Sequence, residues 1–187
     1  MVRLEKMARK TGISPVTYLN ETTRILGQCG LLLVSGKMAH ANVMTIGWGL
    51  VGILWGNPFF MVAVRPSRYT YRFMEETDDF TVNVPGKDME EVTDYCGTVS
   101  GRDHDKIKEK GLTLMPSEHV ESPIIAECVV HYECKVVYKT QIVPKDLPKD
   151  IISTRYPCGD YHTLYFGEIL AIYADDDAKE KLLAMVS

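Results

Sequence analysis

The sequence is poor in the motifs that announce catalysis. It has no G-x-S-x-G for a nucleophilic serine, no H-E-x-x-H and no phosphate-loop lysine, and His40, His104, His119, His131 and His162 show no metal-ligand spacing. Hydrolase, zinc and Rossmann readings lose ground. There is no basic surplus either: 21 Lys and Arg against 25 Asp and Glu leave a net charge of −4, which argues against nucleic-acid binding. No C-x-x-C pair occurs, and Cys29, Cys96, Cys128, Cys134 and Cys158 leave one thiol over in any disulfide scheme. Free thiols in a reducing compartment are expected. No apolar stretch follows the basic residues of the opening MVRLEKMARKTG, so no secretory signal is expected and the cytoplasm is the expected address. Repeats, low-complexity tracts and linkers are missing too, and a single domain over 1–187 is expected.

What the chain does have is an uncharged run from Ala41 to Val64 that ends in Arg65, Ser67, Arg68, Thr70 and Arg72. A bilayer span needs about 20 apolar residues, so the run must be tested as one. Gly47, Gly49, Gly52 and Gly56 interrupt it, and Asn57-Pro58 is a turn signal. Two or three buried strands are expected, without a membrane. Phe59 to Val64 reads as a strand buried on both faces. Pro66-Ser67 reads as a helix start with Ser67 as N-cap, running to Glu76 and turning Tyr71, Phe73 and Met74 to the core. A helix N-terminus flanked by hydroxyls and arginines is a phosphate cradle by its chemistry. A capped surface helix with solvated arginines fits the same residues equally well.

Elsewhere the pattern is mostly β. A helix over 15–28 leads into a strand at Leu31–Val34 and a loop at Ser35–His40, and Phe80–Val84 is a strand stopped by Pro85-Gly86. Asp88–Cys96 reads as a helix. Gly97, Ser100, Gly101, Arg102 and Lys106 then form a second cluster able to hold an anion, with a solvated helix over Asp103–Lys110 as the plainer reading. Residues 127–139 alternate as a long half-exposed strand, Cys128 and Cys134 on one face, His131, Glu133 and Lys135 on the other. After a proline-punctuated connection from Pro144 to Pro157, Thr163–Tyr173 forms a last strand, and a helix begun by Asp175–Asp177 ends near Met185. The expected fold is mainly β, a predominantly antiparallel barrel with peripheral helices and a phosphorylated ligand at its rim.

The blocks NVMTIGWG, VRPSRYTYRFMEE, FTVNVP, YCGTVSGRDHDK and GDYHTLYFGEIL, in that order and spacing, resemble the flavin reductase-like FMN-binding split-barrel family, most closely its flavoredoxin-type branch. The resemblance covers about 30–173. It implies an FMN-binding homodimer with the flavin near the dimer interface. By the resemblance, Asn42, Val43, Met44 and Thr45 would contact the isoalloxazine, Arg65, Ser67 and Thr70 the phosphate, and Ser100, Gly101, Arg102 and Lys106 the phosphate or ribityl chain. No side chain need act as nucleophile, because the chemistry is the flavin's. Tyr161 stands as an extra residue in the family's Gly-Asp-His order, so that either Tyr161 or His162 would face the flavin or nicotinamide. The implied activity is reduction of flavin or ferric complexes with electrons from NAD(P)H. A flavoredoxin-type carrier reduced by a protein partner, or an FMN-binding protein without turnover, fits the same contacts.

Overall fold

The β-rich runs pair into one antiparallel sheet in the computed structural model, which describes residues 10–186. Its strands are β1 (Lys10–Gly12), β2 (Leu31–Lys37), β3 (His40–Ile46), β4 (Gly49–Leu54), β5 (Asn57–Val64), β6 (Asp79–Val84), β9 (Val130–Gln141) and β10 (Thr163–Asp175). The order across the sheet is β3-β2-β6-β9-β10-β5-β4, with β1 added to β10. A separate short ribbon joins β7 (Leu114–Met115) to β8 (Ile124–Ile125). Helices α1 (Leu19–Gln28), α2 (Thr70–Glu76), α3 (Glu90–Thr98), α4 (Lys106–Glu109), α5 (Lys149–Arg155) and α6 (Ala178–Val186) lie at the periphery.

Alternation along β2 explains how the layers meet. Leu31 and Leu33 enter the main core with Phe60, Val62, Phe80, Tyr132 and Tyr165, while Leu32 and Val34 enter a second core with Val43, Met89, Cys96 and Cys128. Successive strand residues face opposite sides, and both sides of β2 are covered, so its run is apolar without a break. Each such side chain contributes about 1.5–3 kcal/mol by leaving water. α3 is held over the second core and touches β3, which places the loop that follows it beside the end of β5.

Several sequence expectations are corrected. The central stretch does form three strands, yet β4 is an exposed edge, with Leu50 and Ile53, and Trp55 just after it, about 70% accessible. The hairpin turns at Trp55-Gly56, both at positive φ (52° and 84°), and Asn57-Pro58 already belong to β5. Two residues at positive φ give a turn whose twist matches the strands it joins. Gly47, Gly49 and Gly52 spell G-x-G-x-x-G, a match that the exclusion of a Rossmann reading passed over; Gly47 precedes β4 and Gly49 and Gly52 lie within it, and β4 enters a hairpin and not a helix, so they form no dinucleotide turn. β2 runs on to Lys37, leaving only Met38-Ala39 as the loop before β3.

The strand read as half-exposed is buried on both faces over Val130–Cys134, because the segment through Ser122 covers its outer side. There the Glu133 carboxylate accepts from the N–H groups of Glu118 and His119 at 2.9 and 2.7 Å, and His131 Nδ1 lies 2.8 Å from Asn83 Oδ1. Pairing with β10 skips Val137, a bulge that ends the strict alternation. The solvated helix expected over Asp103–Lys110 is the single turn α4, capped by the Asp105 carboxylate. Among the described residues no helix is long and apolar enough to cross a membrane.

Candidate functional site

Among the described residues β3 is the last strand of its sheet and pairs only with β2, so half its peptide groups face away from the sheet. Along it lies a cavity of about 270 Å³ walled by Met44, by the turn from Arg65 to Thr70, by the loop from Thr98 to Arg102 and by Lys106. The expected N-cap role of Ser67 is not taken up. α2 starts later, at Thr70, and Ser67 is bound instead to Asp160, whose carboxylate accepts from Ser67 N at 3.2 Å and from Ser67 Oγ at 2.6 Å. Arg65 is likewise drawn to that loop, donating to the carbonyls of Asp160 (3.0 Å) and Arg155 (2.8 Å) and lying 5.0 Å over the Tyr156 ring.

Other groups on these walls keep donors for an anion. Buried Thr70 accepts from Asn42 Nδ2 at 2.7 Å, which leaves its own hydroxyl proton to donate into the cavity. Asn42 thus serves the site through Thr70. Gly101 closes the same wall: a Cβ there would lie 2.3 Å from Asn42 Oδ1 and 2.7 Å from the Tyr69 ring, so only glycine fits. Arg102 donates to Ser67 O, and its own N–H is accepted by Ser100 Oγ. Arg68 lines the cavity and donates to Gly97 O at 3.1 Å.

Lys106 is the most telling of these residues. The residue is 3% accessible, its Nζ donates to Cys96 O at 3.1 Å, and among the described residues no carboxylate pairs with it. Burial pulls its pKa below the ordinary lysine value, and the charge of Arg68 pulls the same way. A buried cation without an acid is costly unless something negative arrives. The Cys96 thiol beside it is buried as well, and burial raises its pKa.

A second cavity, of about 200 Å³, continues from the first through the shared walls Met44, Arg65 and Arg68 and is closed by Thr45–Trp48, Ala63 and His162. His162, not Tyr161, faces this space. Tyr161 stacks on Tyr156 with centroids 4.7 Å apart, while His162 lies 4.7 Å from Trp48 and 2.9 Å from the Tyr156 hydroxyl through Nδ1. Burial, then the Arg65 charge, lowers the His162 pKa to about 4, so the ring is neutral at neutral pH.

Of the residues expected at the site, Met44, Arg65, Ser67, Thr70, Ser100, Gly101, Arg102 and Lys106 come together around the first cavity. Val43 does not line it, being buried in the second core. Thr45 borders the second cavity, but its hydroxyl is spent on Thr93 O. Arg68, Trp48 and Asp160 were not among the expected ligand residues. Arg68 was signalled by its place in the arginine cluster; Trp48 and Asp160 stand in blocks of the family resemblance, but their roles had no local signal, since their partners lie about a hundred residues away.

Fold and site define a split antiparallel barrel with a cationic cleft along its edge strand. The chain belongs to the flavin reductase like domain family, whose model matches residues 28–186. An uncharacterised protein of Pyrococcus abyssi is 33% identical over 152 residues, spanning 80% of this chain and 75% of that one. Among solved structures, the flavoredoxin of Desulfovibrio vulgaris (Miyazaki F) is similar at 28% identity with a TM-score of 0.63, covering 79% of this chain and 70% of that one. The flavoredoxin from Methanosarcina acetivorans gives the same identity and TM-score over 80% of this chain and 70% of its own.

Proposed function

We propose that the chain binds FMN in the cleft along β3 and is an oxidoreductase passing electrons from NAD(P)H through FMN to a flavin or a ferric complex. The observation that carries the cofactor is Lys106, a buried ammonium without an acid partner among the described residues, in a wall shared with Arg68, Arg102 and the free hydroxyl proton of Thr70. Such a set suits a phosphate dianion. The adjoining space between Met44 and Trp48, bordered by the outward peptide groups of β3, suits a flat ring that needs fixed hydrogen-bond partners. When bound, FMN supplies the redox chemistry. Thr70, Lys106 and Arg68 hold its phosphate, and neutral His162 offers a ring nitrogen beside the second cavity without adding charge.

A second reading is favoured by the two flavoredoxin structures: an electron carrier whose FMN is reduced by a protein partner. A homodimer is part of either proposal. Leu26, Trp48, Leu50, Met61 and Leu164 line an apolar groove of about 520 Å³ that opens beside the second cavity, and an exposed apolar patch of this kind suits a second copy. The free cysteines accord with a cytoplasmic setting.

Anaerobic titration of FMN-loaded protein with NADH and then NADPH tests the choice, read as bleaching of the oxidised flavin band. Rapid bleaching that depends on nucleotide concentration supports the reductase. Reduction by dithionite alone overturns it in favour of the carrier, and absence of any flavin band after reconstitution overturns the cofactor.

A further inference from the structure

The Tyr156 hydroxyl and Nδ1 of His162 meet at 2.9 Å beside the second cavity. Both residues are buried, at 4% and 7% accessible. Their backbones are pinned as well. Tyr156 N donates to Ile152 O to close α5, Gly159 N donates to Tyr156 O, and Ile142 N donates to His162 O, each at 3.0 Å. The Tyr156 ring is stacked on Tyr161 with centroids 4.7 Å apart, and the Arg65 guanidinium lies 5.0 Å from it.

Two rings held in this way have one arrangement that satisfies both. A neutral imidazole carries one N–H and one bare nitrogen, and a buried phenol proton needs an acceptor. Burial first, and then Arg65, keeps His162 neutral; Arg68 acts the same way, and the opposing Asp160 carboxylate is engaged with Ser67. Burial raises the Tyr156 pKa, so the phenol keeps its proton. Among the described residues Nδ1 is the only hydrogen-bond partner of that hydroxyl. The phenol therefore donates to Nδ1, and the imidazole proton sits on Nε2. In the reverse arrangement, Nδ1–H donating to the phenol oxygen, the buried phenol proton would be stranded. Nε2 is then the nitrogen left for the second cavity, which His162 walls together with Met44, Thr45 and Trp48.

We propose that Tyr156 is a positioning residue: by donating to His162 Nδ1 it fixes the ring proton on Nε2, so that the second cavity is offered a hydrogen-bond donor for a ring carbonyl oxygen and not a base. The occupant rests on the flavin reading of that cavity; the proton's place does not. A fixed N–H steadies negative charge that develops on such an oxygen and needs no reorientation to do so.

Nitrogen-15 NMR of the histidine rings in the apo-protein at neutral pH tests the proton's place, in the natural chain and in Tyr156→Phe, which keeps the aromatic ring and removes only the hydroxyl. The signals lost in His162→Gln assign the residue. The natural chain is expected to show a protonated Nε2 and a bare Nδ1, and Tyr156→Phe should move both signals toward the averaged position of two exchanging tautomers. A protonated Nδ1 in the natural chain, or unchanged signals in the folded variant, overturns the proposal. FMN titration tests the route through His162. Tyr156→Phe should weaken FMN about threefold in the natural background and leave it unchanged where His162 is already Gln, whose amide brings its own donor. Equal loss in both backgrounds, or none in the natural one, overturns the donor's role toward the ring. The expected signals in a protein that binds no FMN would sink the flavin reading and leave the proton's place standing.

Discussion

The Asp160 carboxylate grips Ser67 by both its backbone N–H and its hydroxyl, at 3.2 and 2.6 Å, across 93 residues of sequence. It lies 4.0 Å from Arg65 Nη1 as well, so an anion of the chain itself holds donors that the sequence assigns to a phosphate. Asp160→Asn keeps a side chain that tolerates the left-handed φ of 56° and removes the charge. We expect FMN to bind about threefold tighter, since a negative charge next to the cleft is gone. Riboflavin, without a phosphate, should bind as before; equal gains for both flavins would mean that the loop and not the charge had changed.

Lys106→Met separates binding from folding. Replacing a buried, unpaired cation with an apolar side chain of similar length should leave the apo-protein as stable or more so. FMN affinity should fall by about 1.5–3 kcal/mol, the worth of a charged hydrogen bond. Thermal melts and FMN titration of the same samples check both halves.

Gly101→Ala places a methyl carbon against Asn42 Oδ1 and the Tyr69 ring. Relief requires Asn42 to shift and loosen its bond to Thr70. Overfilling of this kind costs about 1–3 kcal/mol, so the urea midpoint should drop at unchanged slope. FMN binding should weaken too, because Thr70 is no longer held in place.

His162 sets a pH dependence whose sign is fixed. Its pKa is about 4 in the folded chain against an ordinary 6.5, so between those values the unfolded chain holds a proton that the folded chain lacks. This contribution to stability is intact above about pH 6.5 and is lost as the pH falls toward 4. Urea unfolding of the apo-protein should show the decline, and His162→Gln should flatten it.

Much of the fold was legible because strand periodicity is local. β5, β6 and β10 fall where alternation and apolar runs put them. The hairpin turn was not, since Trp55 is a residue that rarely takes positive φ while Asn57-Pro58 imitates a turn. The burial of His131 and Glu133 was hidden for a different reason: their polar partners come from segments distant in sequence or irregular in structure. At the site, the residues that gather around the first cavity were readable as two clusters. Which of them stay free was not, because the competing carboxylate of Asp160 arrives from the far end of the chain.

The position of β3 at the sheet's margin has a practical consequence. Amides and carbonyls that a sheet leaves unpaired are an invitation for another extended chain to zip on. In the proposed binding mode, a ring lying against them would act as a stopper for the seam as much as a reagent. Stripping it away during purification would then bare a self-adhesive border, and flavin added to the buffer would serve as a solubiliser before it serves any chemistry.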